Sequence, residues 1–236
     1  IGGSYVIYPT KEPEQPYTGH NLAELDDSDW SVRLKIASAE KPEGVWVRLP
    51  DYSMVNDDKA DEVELALLDL KVDTIQDCTL LDARCILPEV ENLVSEYHEL
   101  ADLIYDGNDL GFLLDEQGQG MPHFNEKFHA ALAYEKCTRL GAALDIAQNL
   151  RCYDFVPRED VKSFAEKFLE SRGIEVGHVS LLSECMDRES YGRYLLAQQG
   201  YQQHAASGSF IRRNQLDFCY ERSQPPTQQA HFEMKL

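Results

Sequence analysis

In "WSVRLKIAS" and again in "GVWVRLP", apolar and polar residues alternate. That period of two belongs to strands with one face buried, and two such runs in succession predict a small antiparallel sheet. Upstream, "SYVIY" reads as a further extended segment, followed by a Pro-rich loop. The period then lengthens. "DDKADEVELALLDLKV" opens with acids suited to the positive end of a helix dipole and carries Val63, Leu67 and Leu70 at helical spacing, so a helix is expected. "CTLLDARCIL" returns to strand character.

Between 88 and 104, Val90, Leu93, Val94, Tyr97, Leu100, Ala101 and Ile104 follow the i, i+3, i+4, i+7 pattern, with Pro88 suited to a first turn, and this predicts one continuous helix. At about 100° per residue, Glu89, Glu96, Glu99 and Asp102 project away from the apolar stripe as a solvent-facing ridge, with Asp106 just beyond its end. "DGNDLGFLLDEQ" then reads as a turn with solvated acids.

Downstream, helices are expected in "MPHFNEKFHAALAYEKC", "TRLGAALDIAQNL", "REDVKSFAEKFLESRG" and "DRESYGRYLLAQQG", the last two stopped by Gly173 and Gly200. "RCYDFV" reads as a short strand, and "YQQHA" and "SFIRRN" flank "ASGS" as a strand pair. The fold class is α+β: small antiparallel sheets with several amphipathic helices and an elongated acidic surface, without regular strand–helix alternation. The Gly and Pro of "QGQGMP" suggest a division into a strand-rich acidic region, 1–116, a helical region with a terminal strand pair, 117–214, and a polar tail, 215–236.

Charge changes this picture most. The net charge is -20, yet residues 51–116 hold 19 acids against 3 bases, while 117–236 hold 15 against 14. Residues 88–117 contain nine carboxylates and no Lys or Arg. Direct binding of nucleic acid by that region is disfavoured, because phosphates are repelled. Recognition by a basic protein would offset the cost of such self-repulsion. Six cysteines without a C-x-x-C pair read as reduced, packed thiols. With no long apolar run and no signal-peptide pattern, the expectation is a cytoplasmic protein without membrane contact.

No common catalytic or nucleotide-binding signature occurs, and no cofactor or metal is expected. Asp106, Asn108 and Gly111 match positions 1, 3 and 6 of a calcium-binding loop, but Leu110 and Gln117 stand where two further ligands belong.

"FNEKFHAALAYEKCTRLGAALDIAQNLRCYDFVP", followed by "ESYGRYLLAQQGYQQHAASGSFIRRN", resembles the ArdA-type antirestriction proteins of conjugative elements and phages, over about residues 88–214. In that family a similar "AAL…E…L..AL.IA.NL..Y.F.P" run precedes a "YG..LL...GY" helix and a "GYI.R" strand. The resemblance implies a small, often dimeric α+β protein whose acidic surface imitates B-form DNA. Such a protein occupies the DNA groove of a type I restriction-modification complex and catalyses nothing. The expected contact surface is Asp61, Glu62, Glu64, Glu89, Glu96, Glu99, Asp102, Asp106, Asp109, Asp115 and Glu116. The alternative is an accessory interaction module of a mobile genetic element, for which Tyr191, Tyr194, Tyr201 and Phe210 are the candidate contacts.

Overall fold

The computed structural model describes residues 30–51, 53, 61–174 and 187–219. The expected strand in "SYVIY", Cys185 and most of the tail lie outside them. The chain divides into two compact units: unit 1 comprises 1–122, 137–148 and 219–236, and unit 2 comprises 123–136 and 149–218. The fold is α+β, with two three-stranded antiparallel sheets and helices around them.

In unit 1 the alternating runs become β1 (Val32–Ala37) and β2 (Val45–Leu49), and β3 (Thr79–Cys85) completes a sheet of order β2-β1-β3. Val32, Leu34 and Ile36 of the central strand are fully buried. Helix α1 (Glu62–Leu70) starts where the Asp61 carboxylate accepts the Glu64 N–H and stops at Lys71, whose φ is 55°. Helices α2 (Leu93–Glu96), α3 (Leu100–Gly120) and α5 (Leu140–Gln148) also belong to this unit.

The continuous helix expected over 88–104 does not form. Residues 88–89 make a turn, Asn92 takes φ 58°, and the backbone is extended at Tyr97 and Glu99, so only the four residues of α2 stand before α3. Conversely, "DGNDLGFLLDEQ" is no turn but the middle of α3. The buried face of α3 is Leu103, Gly107, Leu110, Gly111 and Leu114. Its glycines allow close approach: a Cβ at Gly107 would lie 2.5 Å from Leu49 Cδ1, and one at Gly111 would lie 2.3 Å from Pro50 Cδ. Buried polar contacts fix the register, Ser31 Oγ donating to the Gly107 carbonyl at 2.7 Å and Asp51 N to Asn108 Oδ1 at 2.6 Å. Helical geometry therefore turns Asn108 and Gly111 toward the core, and the three calcium-loop positions do not converge on one point.

Unit 2 holds α4 (Phe124–Glu135), β4 (Tyr153–Val156), α6 (Val161–Ser171), α7 (Arg188–Gln198) and the hairpin β5 (Gln202–Gln203) and β6 (Phe210–Arg213), with strand order β4-β6-β5. Gly173 and Gly200 follow α6 and α7 with φ of 81° and 82°, which is why the sequence places glycine at both stops. Val156, Val161, Leu196 and Phe210 form the core beneath Phe164 and Tyr201.

Candidate functional site

The junction of α2 and α3 in unit 1 concentrates the acidic sequence, and long-range hydrogen bonds set its shape. Glu96 ends α2 with a side chain only 7% exposed. Its carboxylate accepts the Leu140 N–H at 2.9 Å and the Gly141 N–H at 3.2 Å, and Arg139 Nε lies 3.5 Å away. Glu96 thus caps α5 at the positive end of its dipole, a structural role that removes it from the expected solvent-facing ridge. One residue on, the Tyr97 hydroxyl donates to Asp106 Oδ2 at 2.6 Å. Burial, then this bond to a carboxylate, holds the Tyr97 phenol well above the ordinary tyrosine pKa. These two anchors bend the chain where its apolar pattern alone would continue a helix.

The eleven expected contact residues separate into roles. Asp61 caps α1, Glu62 pairs with Arg48, Glu96 caps α5, and Asp106 accepts from Tyr97. Glu64, Glu99, Asp102 and Glu116 are exposed, while Glu89, Asp109 and Asp115 are half-buried. On α3 the unburied face carries Asp102, Asp106, Asp109 and Glu116, three or four residues or two turns apart, and Glu99 precedes them. Asp115 falls on another side of the helix. Glu99, Asp102 and Glu116 make no ion pair among the described residues.

Two clefts meet at this bend. One, of about 430 Å³, is lined by Glu96, Tyr97, His98, Asp102, Tyr105 and Asp106. The other, of about 380 Å³, shares Tyr97 and His98 and is bounded by Leu80, Val94, Leu100 and Ala101. The expected surface included only the acids. The clefts add Tyr97, His98, Tyr105 and Val94 to these acids, and for the first three the sequence signal was aromatic residues interleaved with carboxylates over 96–106.

In unit 2 the candidate aromatic contacts do not gather into a free surface: Phe210 is core, Tyr201 packs on Phe164 and under Arg212, and only Tyr194 is strongly exposed, at 59%. The described cysteines are free thiols. Burial pushes Cys85 up to about 12 and Cys137 up to about 11, which keeps both protonated and unreactive. Among the described residues, no group of three or more His, Cys, Asp or Glu could hold a metal ion, and no helix is long and apolar enough to cross a membrane. Comparisons with protein-family models, curated proteins and solved structures found no match.

Proposed function

We propose that this chain is a non-catalytic antirestriction protein, a DNA mimic that binds the basic DNA groove of a type I restriction-modification complex and inhibits it. Segregation of charge carries the reading. Unit 1 holds 30 acids against 11 bases, whereas unit 2 holds 12 against 11. A solubility coat would not leave about a third of the chain nearly neutral. The resemblance to the ArdA type supplies the class of target, and repulsion of phosphate disfavours nucleic acid itself as the ligand of unit 1.

Helix α3 supplies length as well as charge. Its 21 residues span about 31 Å, the length of about nine base pairs. Glu99, Asp102, Asp106, Asp109 and Glu116 along it give roughly one carboxylate per 6 Å, against one phosphate per about 1.7 Å of duplex or 3.4 Å of one strand. In this reading α3 stands for part of one strand. Binding of this kind weakens as salt screens it.

The test is competition. Purified protein added to a type I complex on duplex DNA is expected to displace the DNA and stop cleavage at low salt, with the effect fading across a salt series. Persistence of the DNA complex at low salt, against several such enzymes, would overturn the reading. The accessory-module alternative has one observation in its favour, the exposed Tyr194 on α7, and a Tyr194→Ala variant that lost a partner unaffected by charge reversal in unit 1 would promote it.

A further inference from the structure

Between Glu89 and Asp106 the sequence contains no Gly or Pro, yet the chain leaves helical geometry at Tyr97 and Glu99, where φ is -108° and -107°. The break therefore comes from tertiary contacts and not from a helix-breaking residue. Helix α2 has four residues, a single turn that is marginal without packing. Helix α3 starts at Glu99 without a side-chain cap. Were the two joined, the N–H groups of His98 through Asp102 would gain the carbonyls of Val94 through His98 as acceptors, and one helix would run from Leu93 to Gly120, about 42 Å.

The spacing of apolar residues already extends across the break. Leu93, Glu96, Leu100, Leu103, Gly107 and Leu110 are alternately three and four residues apart, which places them on one helix face. Leu93, Leu103, Gly107 and Leu110 are buried, and Glu96 is the one polar member of the set. In a joined helix its carboxylate would face the packed side, at a cost in desolvation; in the bent chain it reaches the Leu140 and Gly141 N–H groups instead. The second anchor also belongs to the bend alone. Tyr97 and Asp106, bonded at 2.6 Å, would lie on opposite sides of a joined helix and about 13 Å apart along its axis.

We propose that α2 and α3 are two halves of one helix held apart by Glu96, and that a basic partner shifts the chain toward the joined form. Joining brings Glu99 into line with Asp102 and Asp106, on the side away from Leu93 and Leu100. Only the joined form presents these carboxylates in one helical row, and a ligand that binds one form better draws the equilibrium toward it. The inference rests on the mimicry reading for its partner and adds regulation to it, since binding and straightening become coupled.

Amide hydrogen exchange at residues 98–102, followed by NMR on the full chain, distinguishes the two forms: it is fast while α3 starts at Glu99 and slow once the helix runs through. Glu96→Leu, which completes the apolar face, is expected to slow exchange there at least tenfold. Tyr97→Phe, which removes the other anchor and keeps the ring, should slow it at least twofold and serves if the first variant does not fold. A deca-lysine peptide added to the unaltered protein at low salt should slow the same amides, with the effect lost at high salt. Unchanged exchange at 98–102 in the folded variants, or in the unaltered protein saturated with the peptide, overturns the inference. The DNA-displacement assay separates it from the mimicry reading. Slowed exchange without displacement leaves the joined helix standing and removes the mimicry, and displacement with exchange unchanged does the reverse.

Discussion

Units 1 and 2 are built alike and charged differently. Each has a three-stranded antiparallel sheet, and each brings a helix close to its neighbour through glycine: Gly107 and Gly111 against Leu49 and Pro50 in unit 1, Gly192 against Val161 in unit 2. In unit 2 acids meet bases across elements, as in Glu135 with Arg213, Asp154 with Arg212 and Glu166 with Arg188, and within α7 as in Glu189 with Arg193. In unit 1 Arg48 pairs with Glu62, Arg84 with Asp82 and Lys41 with Asp69 on the sheet and α1, and Arg139 lies by Glu96, while 88–117 contains no base of its own. A three-stranded antiparallel sheet with packed helices tolerates both arrangements, with different strand connectivity in the two units. The excess acid is therefore no requirement of this fold and calls for a reason outside it.

The sharpest way to break that contrast is charge reversal in each unit. Replacing Glu99, Asp102, Asp109 and Glu116 by Lys should weaken binding to the DNA-binding partner by at least two orders of magnitude near 0.1 M salt, about 2.8 kcal/mol, with little change in thermal unfolding. Replacing the exposed unit 2 acids Asp160, Glu170 and Asp217 by Lys should change it by less than about threefold. Equal losses from the two sets would show that total charge, not its placement, governs the contact.

Packing should respond more evenly. Gly111→Ala puts a methyl group 2.3 Å from Pro50 Cδ, and Gly192→Ala puts one 2.3 Å from the Val161 carbonyl oxygen. Each is expected to destabilise its unit by about 1–3 kcal/mol, read as a lower urea midpoint. At Gly173 and Gly200 nothing lies within 4 Å, so alanine there meets only the positive φ, at about 1 kcal/mol.

Elements whose pattern and neighbours agree were legible. The alternation of Val32, Leu34 and Ile36, and the stops at Gly173 and Gly200, express local rules that packing leaves intact. Residues 88–117 failed for two opposite reasons. Their helical periodicity was genuine, yet Glu96 is used 44 residues away at Leu140, a demand that no local window contains. Downstream, Asp-Gly-Asn-Asp has turn composition, but its Gly and Asn face a sheet with no room for a larger side chain. The acids of the candidate surface were visible from composition. Their division into caps, pairs and exposed positions was not, because a carboxylate's role depends on which N–H or guanidinium comes near it.

Glu96 makes that division testable. Glu96→Ala leaves two N–H groups at the start of α5 without their acceptor, and a loss of about 1–2 kcal/mol is expected in the urea midpoint. Its counterpart in unit 2 is Asp187, an exposed cap that accepts the Glu189 and Ser190 N–H groups of α7. The Ser190 hydroxyl and these N–H groups hold the Asp187 carboxyl below its ordinary pKa, so its contribution is present at neutral pH and is lost as pH falls through that depressed value. Asp187→Ala should cost less than Glu96→Ala, since water can replace an exposed cap. The reverse order would mean that Glu96 is as dispensable as a surface acid.

The smallest effect concerns two phenols. Tyr97 donates to Asp106 at 2.6 Å in unit 1, and Tyr153 donates to Glu135 at 2.8 Å in unit 2. Burial first, and then the carboxylate partner, raise both pKa values above the ordinary tyrosine value, although Arg213 opposes the shift at Tyr153. Above pH 10 an unfolded phenol is ionised and must regain its proton to fold. The stability these groups confer is therefore complete below about pH 10 and declines as pH rises beyond it. Tyr97→Phe should cost about 1 kcal/mol at neutral pH and reduce the alkaline decline. Tyr153→Phe should reduce it less, because Arg213 already favours the phenolate there. Near-ultraviolet absorbance against pH, read beside unfolding, checks both: in the unaltered chain Tyr97 should ionise only as unit 1 unfolds. Its titration near pH 10 with the fold intact would mean that the bond to Asp106 does not hold the α2–α3 bend.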